Sequence, residues 1–322
     1  MFATLLGALP APATAGGADD QIATAIRAQE SAGLEPITDG RLSDPSFAEL
    51  SHALGGAHPE VAAAMVVARW RFASALTDRA VKQTLPGPYS LGRAGGAEPG
   101  ASRERRTRQI AEAVGNAVRA LTEAGCALVE IEETNADAIG LDEAERRLFR
   151  AAHRLVTDGA VGGGEAAPGH GTHLSLSIVG EAADRAGIDT ILDAPYASLG
   201  VDLIRGPDNW NLVVRAPGDR GIVAGALSGK AFDEPKEILL WGAHYAASTG
   251  GRGIDRVGLG SAGSWAHLTW DVAVRKLQAL GNAARLASMP PSEELARQLE
   301  PQAVSARRAG LGRNAPRPPR RC

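Results

Sequence analysis

Short apolar runs of strand length alternate along the chain with longer stretches of helical period, the arrangement expected of a parallel sheet covered by helices. The strand-like runs are FATLLGAL, LEPITDG, AVKQTL, CALVEIEE, THLSLSIV, SLGVDLI, RGIVAGAL and DRVGLG, eight in all. Helices are predicted between them over 20–32, 59–78, 103–124, 142–157, 234–247 and 270–287. In the third of these, Ile110, Ala113, Val114, Ala117, Val118 and Leu121 recur at three- and four-residue steps, which makes one face apolar and fit to pack on a sheet. An open doubly wound sheet and a closed barrel both suit such alternation. Eight strands in 322 residues favour an α/β chain folded as a (β/α)8 TIM barrel, with residues 1–288 as a single domain. The glycine-rich stretches 92–100 and 159–171 read as loops at the barrel mouth, since neither opens a helix with the spacing of a phosphate cradle.

The last segment, 289–322, has another character. Residues 306–322 hold six Arg, three Pro and no acid, so this tail cannot bury apolar surface and is expected to be disordered. Elsewhere the charge is balanced, 34 basic against 37 acidic side chains, and nucleic acid is therefore not expected as a partner. No run of eighteen apolar residues occurs to span a bilayer. The apolar start lacks a basic residue before Arg27, so it is read as a first buried strand and not as a secretory signal; a cytoplasmic location is expected. Two cysteines, Cys126 and Cys322, exclude a disulfide scaffold and a zinc site built from several thiolates.

In a barrel, chemistry gathers where strands run into the following loops. In CALVEIEET, alternation puts Cys126, Leu128, Glu130 and Glu132 on one face, with Glu133 on the other face or in the turn. Cys126, four residues behind Glu130, reads as core. In GHGTHLSLSIVG, His170 and His173 stand three apart as candidate metal ligands or as ordinary loop and core histidines, His173 being the better placed. In GVDLIRGPDNWNLV, shared parity points Asp208 toward a strand exit beside Asn209, a ligand shelf or a Pro-Asp-Asn turn. In AVKQTLPGPYSLGR, Lys82 leads into a stiff Pro-Gly-Pro loop. No nucleophile elbow, Walker loop, H-E-x-x-H helix or paired C-x-x-C appears.

The blocks VKQTLPGPYS (81–90), VEIEET (129–134) and GSWAHLTWDVAVRKLQAL (263–280) occur in the order in which similar blocks occur in the superfamily of cobalamin-independent methionine synthase and uroporphyrinogen decarboxylase. The chain resembles the catalytic half of those synthases over roughly residues 1 to 288. The resemblance implies a barrel that moves a methyl group from a folate to a thiol such as homocysteine. It implies a zinc ion held by a His-x-Cys pair, a glutamate on the next strand and a cysteine at the end of the last one. Against that pattern His173 matches the histidine, but Ser175 and Gly263 stand where thiolates belong. Pro207 falls at the glutamate with Asp208 beside it, Ala226 at a further histidine, and Arg41 where the synthases have an acid. No cofactor is therefore expected, and no metal ligands are assigned. The expected site has His173 and Glu132 as catalytic residues and Lys82, Glu130, Glu133, Asp208 and Asn209 around a small-molecule substrate. Two other readings stay open: a non-catalytic barrel that binds a ligand or partner, and a metal-free lyase like the decarboxylase branch.

Overall fold

Seven parallel strands carry the computed structural model, which describes residues 1–13, 16–56, 58–94, 101–161, 171–180, 182–232 and 234–289. They are β1 (Phe2–Thr4), β2 (Lys82–Pro86), β3 (Leu128–Glu133), β4 (His173–Ile178), β5 (Ser198–Asp202), β6 (Gly221–Leu227) and β7 (Val257–Ser261). Their order in the sheet is β1-β7-β6-β5-β4-β3-β2, so the sheet curls until β1 and β2 become its edges. The remaining predicted strand, LEPITDG, fills the gap between those edges through single bridges. Glu35 N–H donates to Ala3 O at 2.9 Å, Ile37 N–H to Ala80 O at 3.0 Å, and Lys82 N–H to Ile37 O at 2.9 Å. Pro36 has no N–H to offer, which is why this segment bridges its neighbours without building a ladder. All eight predicted runs thus take a place around the barrel, seven as laddered strands.

Ten α-helices lie among the described residues. The six predicted ones are α1 (Ala18–Ala32), α3 (Pro59–Ser74), α5 (Ala101–Glu123), α6 (Glu143–Val161), α9 (Lys236–Ser248) and α10 (Trp270–Ala287). Four short ones, α2 (Ala48–Leu54), α4 (Pro88–Ala94), α7 (Ile188–Leu192) and α8 (Trp210–Arg215), were not marked by periodicity, since a helix of two turns shows too little of it. The apolar face predicted for α5 is buried from Ile110 to Leu121. Helices α1 and α10 cross closely at Gly281, where a Cβ would lie 1.7 Å from Ala32 O. Residues 95–100, 162–170 and 290–322, which include His170, Cys322 and most of the two glycine-rich stretches and the basic tail, lie outside the described residues.

The barrel interior departs from the usual filling of branched aliphatics. On β5 and β7 the inward positions Gly200, Gly258 and Gly260 carry no side chain, and β1 with the residues just after it supplies the bulk instead. A Cβ on Gly258 would lie 2.3 Å from the Phe2 ring, and one on Gly260 3.2 Å from Leu6. Ser261 anchors this insertion: its Oγ accepts from Leu6 N–H at 2.8 Å and donates to Leu6 O at 2.6 Å. The opposite wall, on β2 and β3, carries the large polar side chains.

Candidate functional site

Strand β3 places Glu130 and Glu132 inside the barrel and Glu133 outside it, as two-residue alternation requires. Glu132, one residue from the carboxyl end of β3, takes Arg41 Nη1–H at 2.6 Å. Arg41 belongs to the turn that follows the bridged segment. Gln29 pins this turn by donating to Thr38 O at 2.8 Å and accepting from Thr38 N–H at 3.0 Å. Arg41 has φ +52°, a left-handed conformation that costs a side-chain-bearing residue on the order of 1 kcal/mol. Three contacts hold it there: Asp39 Oδ1 accepts its N–H at 2.8 Å, Nη2 donates to Pro45 O at 2.8 Å, and the guanidinium lies 4.0 Å over the Phe47 ring. Burial pushes the Asp39 carboxyl above its ordinary range, opposed by the Arg41 N–H and by the charges of Arg69 and Arg41.

Three polar atoms at this end are enclosed without a partner in the protein: Arg41 Nε, Glu132 Oε2 and Ser177 Oγ, the last on β4. Each such atom costs about 1–3 kcal/mol. Together they present one spare donor, one spare anionic acceptor and one hydroxyl at the carboxyl ends of adjacent barrel elements, where barrel enzymes place their chemistry.

The other expected site residues are distributed differently. Lys82 and Glu130 form a buried ion pair, Nζ to Oε2 at 2.7 Å, deeper in the lumen. Burial raises the Glu130 carboxyl and the charge of Lys82 opposes it. His173 opens β4 at its amino end, so it lies five residues, roughly 16 Å, from the carboxyl end of that strand. It therefore does not meet Glu132, nor does the expected His173–Ser175 pair meet Gly263, which follows β7 at the other end. Glu133 faces away from the lumen. Its carboxylate accepts from Tyr89 N–H at 3.0 Å, Ser90 N–H at 2.8 Å and the Ser90 hydroxyl, and His153 Nε2 lies 3.0 Å away. It anchors the first turn of α4, and Gly87 makes room for it.

The parity argument that selected Asp208 ran past the end of the strand. β5 stops at Asp202, so the exit residue is Asp202, while Asp208 lies exposed in a single 3-10 turn, Pro207–Asn209. Asn209 Nδ2 donates to Asp202 O at 2.8 Å and ties that turn back to the strand. Asp202 is fully buried; Ile204 and Arg205 N–H donate to it at 2.8 Å each and Gly180 N–H at 3.2 Å. Burial raises its carboxyl, and these three donors work against that rise. Sequence reasoning missed Asp39, half-buried in the turn after the bridged segment, and Asp202, a buried acid that closes β5. For Asp202 the signal was present, an acid closing a five-residue apolar run.

A zinc tetrahedron does not fit these strand ends. Among the described residues no three His, Cys, Asp or Glu side chains converge as metal ligands. At the carboxyl ends β4 offers Ser177, β5 offers Asp202 with its oxygens already engaged, and Gly263 follows β7 with no donor atom. Cys126 is buried just before β3, at the amino end, and burial pushes its thiol up to about 11.

Residues 54–154 match the family model of the cobalamin-independent synthase catalytic domain. Among solved structures, the chain is similar to a B12-independent methionine synthase from Shewanella sp. W3-18-1 in complex with selenomethionine. The identity is 14%, 92% of this chain and 98% of that one are covered, and the TM-score is 0.68. It is also similar to the putative vitamin-B12-independent methionine synthase from Listeria monocytogenes, at 16% identity, covering 88% and 97% of the two chains with a TM-score of 0.66. No curated protein matches the sequence. The family-model match and the shared fold make this chain a protein like the catalytic domain of those synthases.

Proposed function

We propose that this methionine-synthase-like barrel binds a small amino-acid thiol or thioether at its carboxyl end and transfers a methyl group without a thiolate-bound zinc. The observation that carries the reading is the cluster of enclosed, unpartnered polar atoms there, Arg41 Nε, Glu132 Oε2 and Ser177 Oγ. A zwitterion supplies what they lack: an ammonium for Glu132 Oε2 and a carboxylate for Arg41 Nε. The Shewanella neighbour, in complex with selenomethionine, supports an amino-acid ligand for this fold.

Methyl transfer to a thiol forms an S–CH3 bond as the donor's N–CH3 bond breaks; the thiol proton must leave, and the donor nitrogen must gain one. A free thiol with pKa about 8.5 is only a few per cent thiolate at pH 7, so a base is needed where no metal lowers that value. Asp39, which accepts the Arg41 N–H at 2.8 Å beside this cluster and whose carboxyl is raised by burial, is the group assigned to take the proton. His173, at the other end of β4, does not serve here. Lys82 and Glu130, paired deeper in the lumen toward the amino end, take no part in this step.

The test is calorimetric titration with L-methionine and L-homocysteine, alone and with 5-methyltetrahydrofolate, followed by mass-spectrometric detection of methionine. The expected results are saturable amino-acid binding and a loss of about tenfold or more in Glu132→Gln, the size of a lost charged hydrogen bond. A folded Glu132→Gln variant that binds as tightly as the parent contradicts the reading. A second reading, a barrel that binds such ligands without turning them over, is favoured by the missing metal donors at β4 and β7. Binding without methionine formation selects it.

A further inference from the structure

The small inward side chains of β4 to β6 leave space that the carboxyl-end cluster does not use. A cavity of about 590 Å³ opens at the amino end of the barrel, opposite the site described above. Its volume lies within the range of small-molecule sites. Lys82 and Glu130 stand on one side of it, and His173, Ser175 and Ser198 on the other, with Phe2 and Val223 as apolar wall. The cavity follows from the sequence: where β4, β5 and β6 begin, the inward positions are Ser175, Ser198 and Gly221 instead of branched aliphatics.

The polar groups in this chamber form a chain with capacity to spare. His173 Nε2 lies 2.8 Å from Ser198 Oγ, which donates to Ser175 Oγ at 2.9 Å; Ser175 in turn donates to Ser198 O at 3.4 Å. With the Ser198 proton committed to Ser175, His173 donates through Nε2. Partial burial lowers the pKa of its ring, which keeps it neutral and leaves Nδ1 as an acceptor. Across the cavity, Lys82 uses one ammonium proton on Glu130, and its other two protons are donors. The full charges inside are thus already paired with each other, and those at the rim balance, Asp219 and Asp255 against Arg220 and Arg256. An ion that passes the rim, where Asp219, Asp255, Arg220 and Arg256 cancel in formal charge, meets only the Lys82–Glu130 pair inside and loses its hydration. A neutral molecule that both donates and accepts hydrogen bonds meets hydroxyls, an imidazole acceptor and ammonium donors.

We infer that the amino-end chamber is a second ligand site, specific for an uncharged, hydroxyl-rich small molecule of sugar or polyol size, bound between Lys82 on one wall and the His173–Ser198–Ser175 chain on the other. It is independent of the carboxyl-end reading. The probe set is glucose, gluconate and glucosamine, matched in size and differing in charge. Each is titrated into the full chain while the imidazole resonance of His173, assigned with His173→Gln, is followed by NMR. Glucose is expected to shift that resonance saturably, with affinity at least fivefold above either charged analogue. Ser198→Ala is expected to weaken glucose at least fivefold, and Glu132→Gln to leave the glucose response unchanged. The absence of a saturable glucose shift, tighter binding of gluconate or glucosamine, full affinity in a folded Ser198→Ala variant, or loss of the response in Glu132→Gln overturns the inference.

Discussion

Lys82 and Glu130 are 3% and 1% exposed, and a pair this deep is held by partnership more than by net stabilisation. Removing one member strands the other. Lys82→Met is therefore expected to destabilise the fold by about 3–5 kcal/mol, whereas Lys82→Met with Glu130→Gln recovers much of that loss. Urea unfolding of the two variants measures the difference, and equal losses in both would show that the pair is not the cause. His173 gives a pH-dependent counterpart. Its pKa is lowered in the fold by partial burial, so the native state binds its proton less readily than the unfolded chain does. Its contribution is present above the unfolded value, near 6.5, and is lost as pH falls through the folded value. Stability is expected to decline from pH 7 toward pH 5, and His173→Gln to flatten part of that decline in denaturant titrations at the two pH values.

At the level of elements, the join between β3 and α4 rests on Glu133, which is fully buried and receives its donors from Tyr89 and Ser90, with His153 Nε2 3.0 Å away. Glu133→Ala is expected to cost about 3 kcal/mol or more, given charged hydrogen bonds worth about 1.5–3 kcal/mol each. It should also speed amide exchange at Ser90 before the rest of the barrel opens, which hydrogen-exchange mass spectrometry resolves. The sequence made the outward turn of Glu133 legible through strand parity, but not its partners, because Ser90 and His153 reach it only after α4 and α6 have packed. The same limit explains the rest. Periodicity located the six long helices and all eight barrel segments, since each is a local pattern. It carried Asp208 too far because parity holds only while the chain remains a strand, and β5 ends at Asp202. The order of residues already put His173 at the opening of THLSLSIV, the amino end of a strand; assigning it to a site at the strand exits set that order aside. The ladder begins at His173, paired with Leu128.

For the whole molecule, the open question at the carboxyl end is whether a transition metal belongs there, and the strand ends decide it by their chemistry. Zinc in a catalytic site takes three protein ligands, commonly imidazole, thiolate or carboxylate, about 2.0–2.3 Å away. In this barrel the hydroxyl of Ser177 ionises far above neutral pH, Gly263 has no side chain, and the oxygens of Asp202 are engaged by Ile204, Arg205 and Gly180. Freeing Asp202 for a cation would leave those buried N–H groups unpaired, at about 1–3 kcal/mol each. Glu132 already carries the opposite charge of Arg41 beside it, which repels a second cation. Protein purified without chelator is thus expected to hold well under one equivalent of zinc by plasma mass spectrometry, and EDTA to leave its melting temperature unchanged. Added zinc should not raise that temperature either, because a cation bound only to the native state stabilises it in proportion to the logarithm of its concentration over Kd. Near-stoichiometric zinc that is lost in Asp202→Asn would instead mean that the barrel rearranges its strand ends to make a metal site, and the metal-free reading would fall with it.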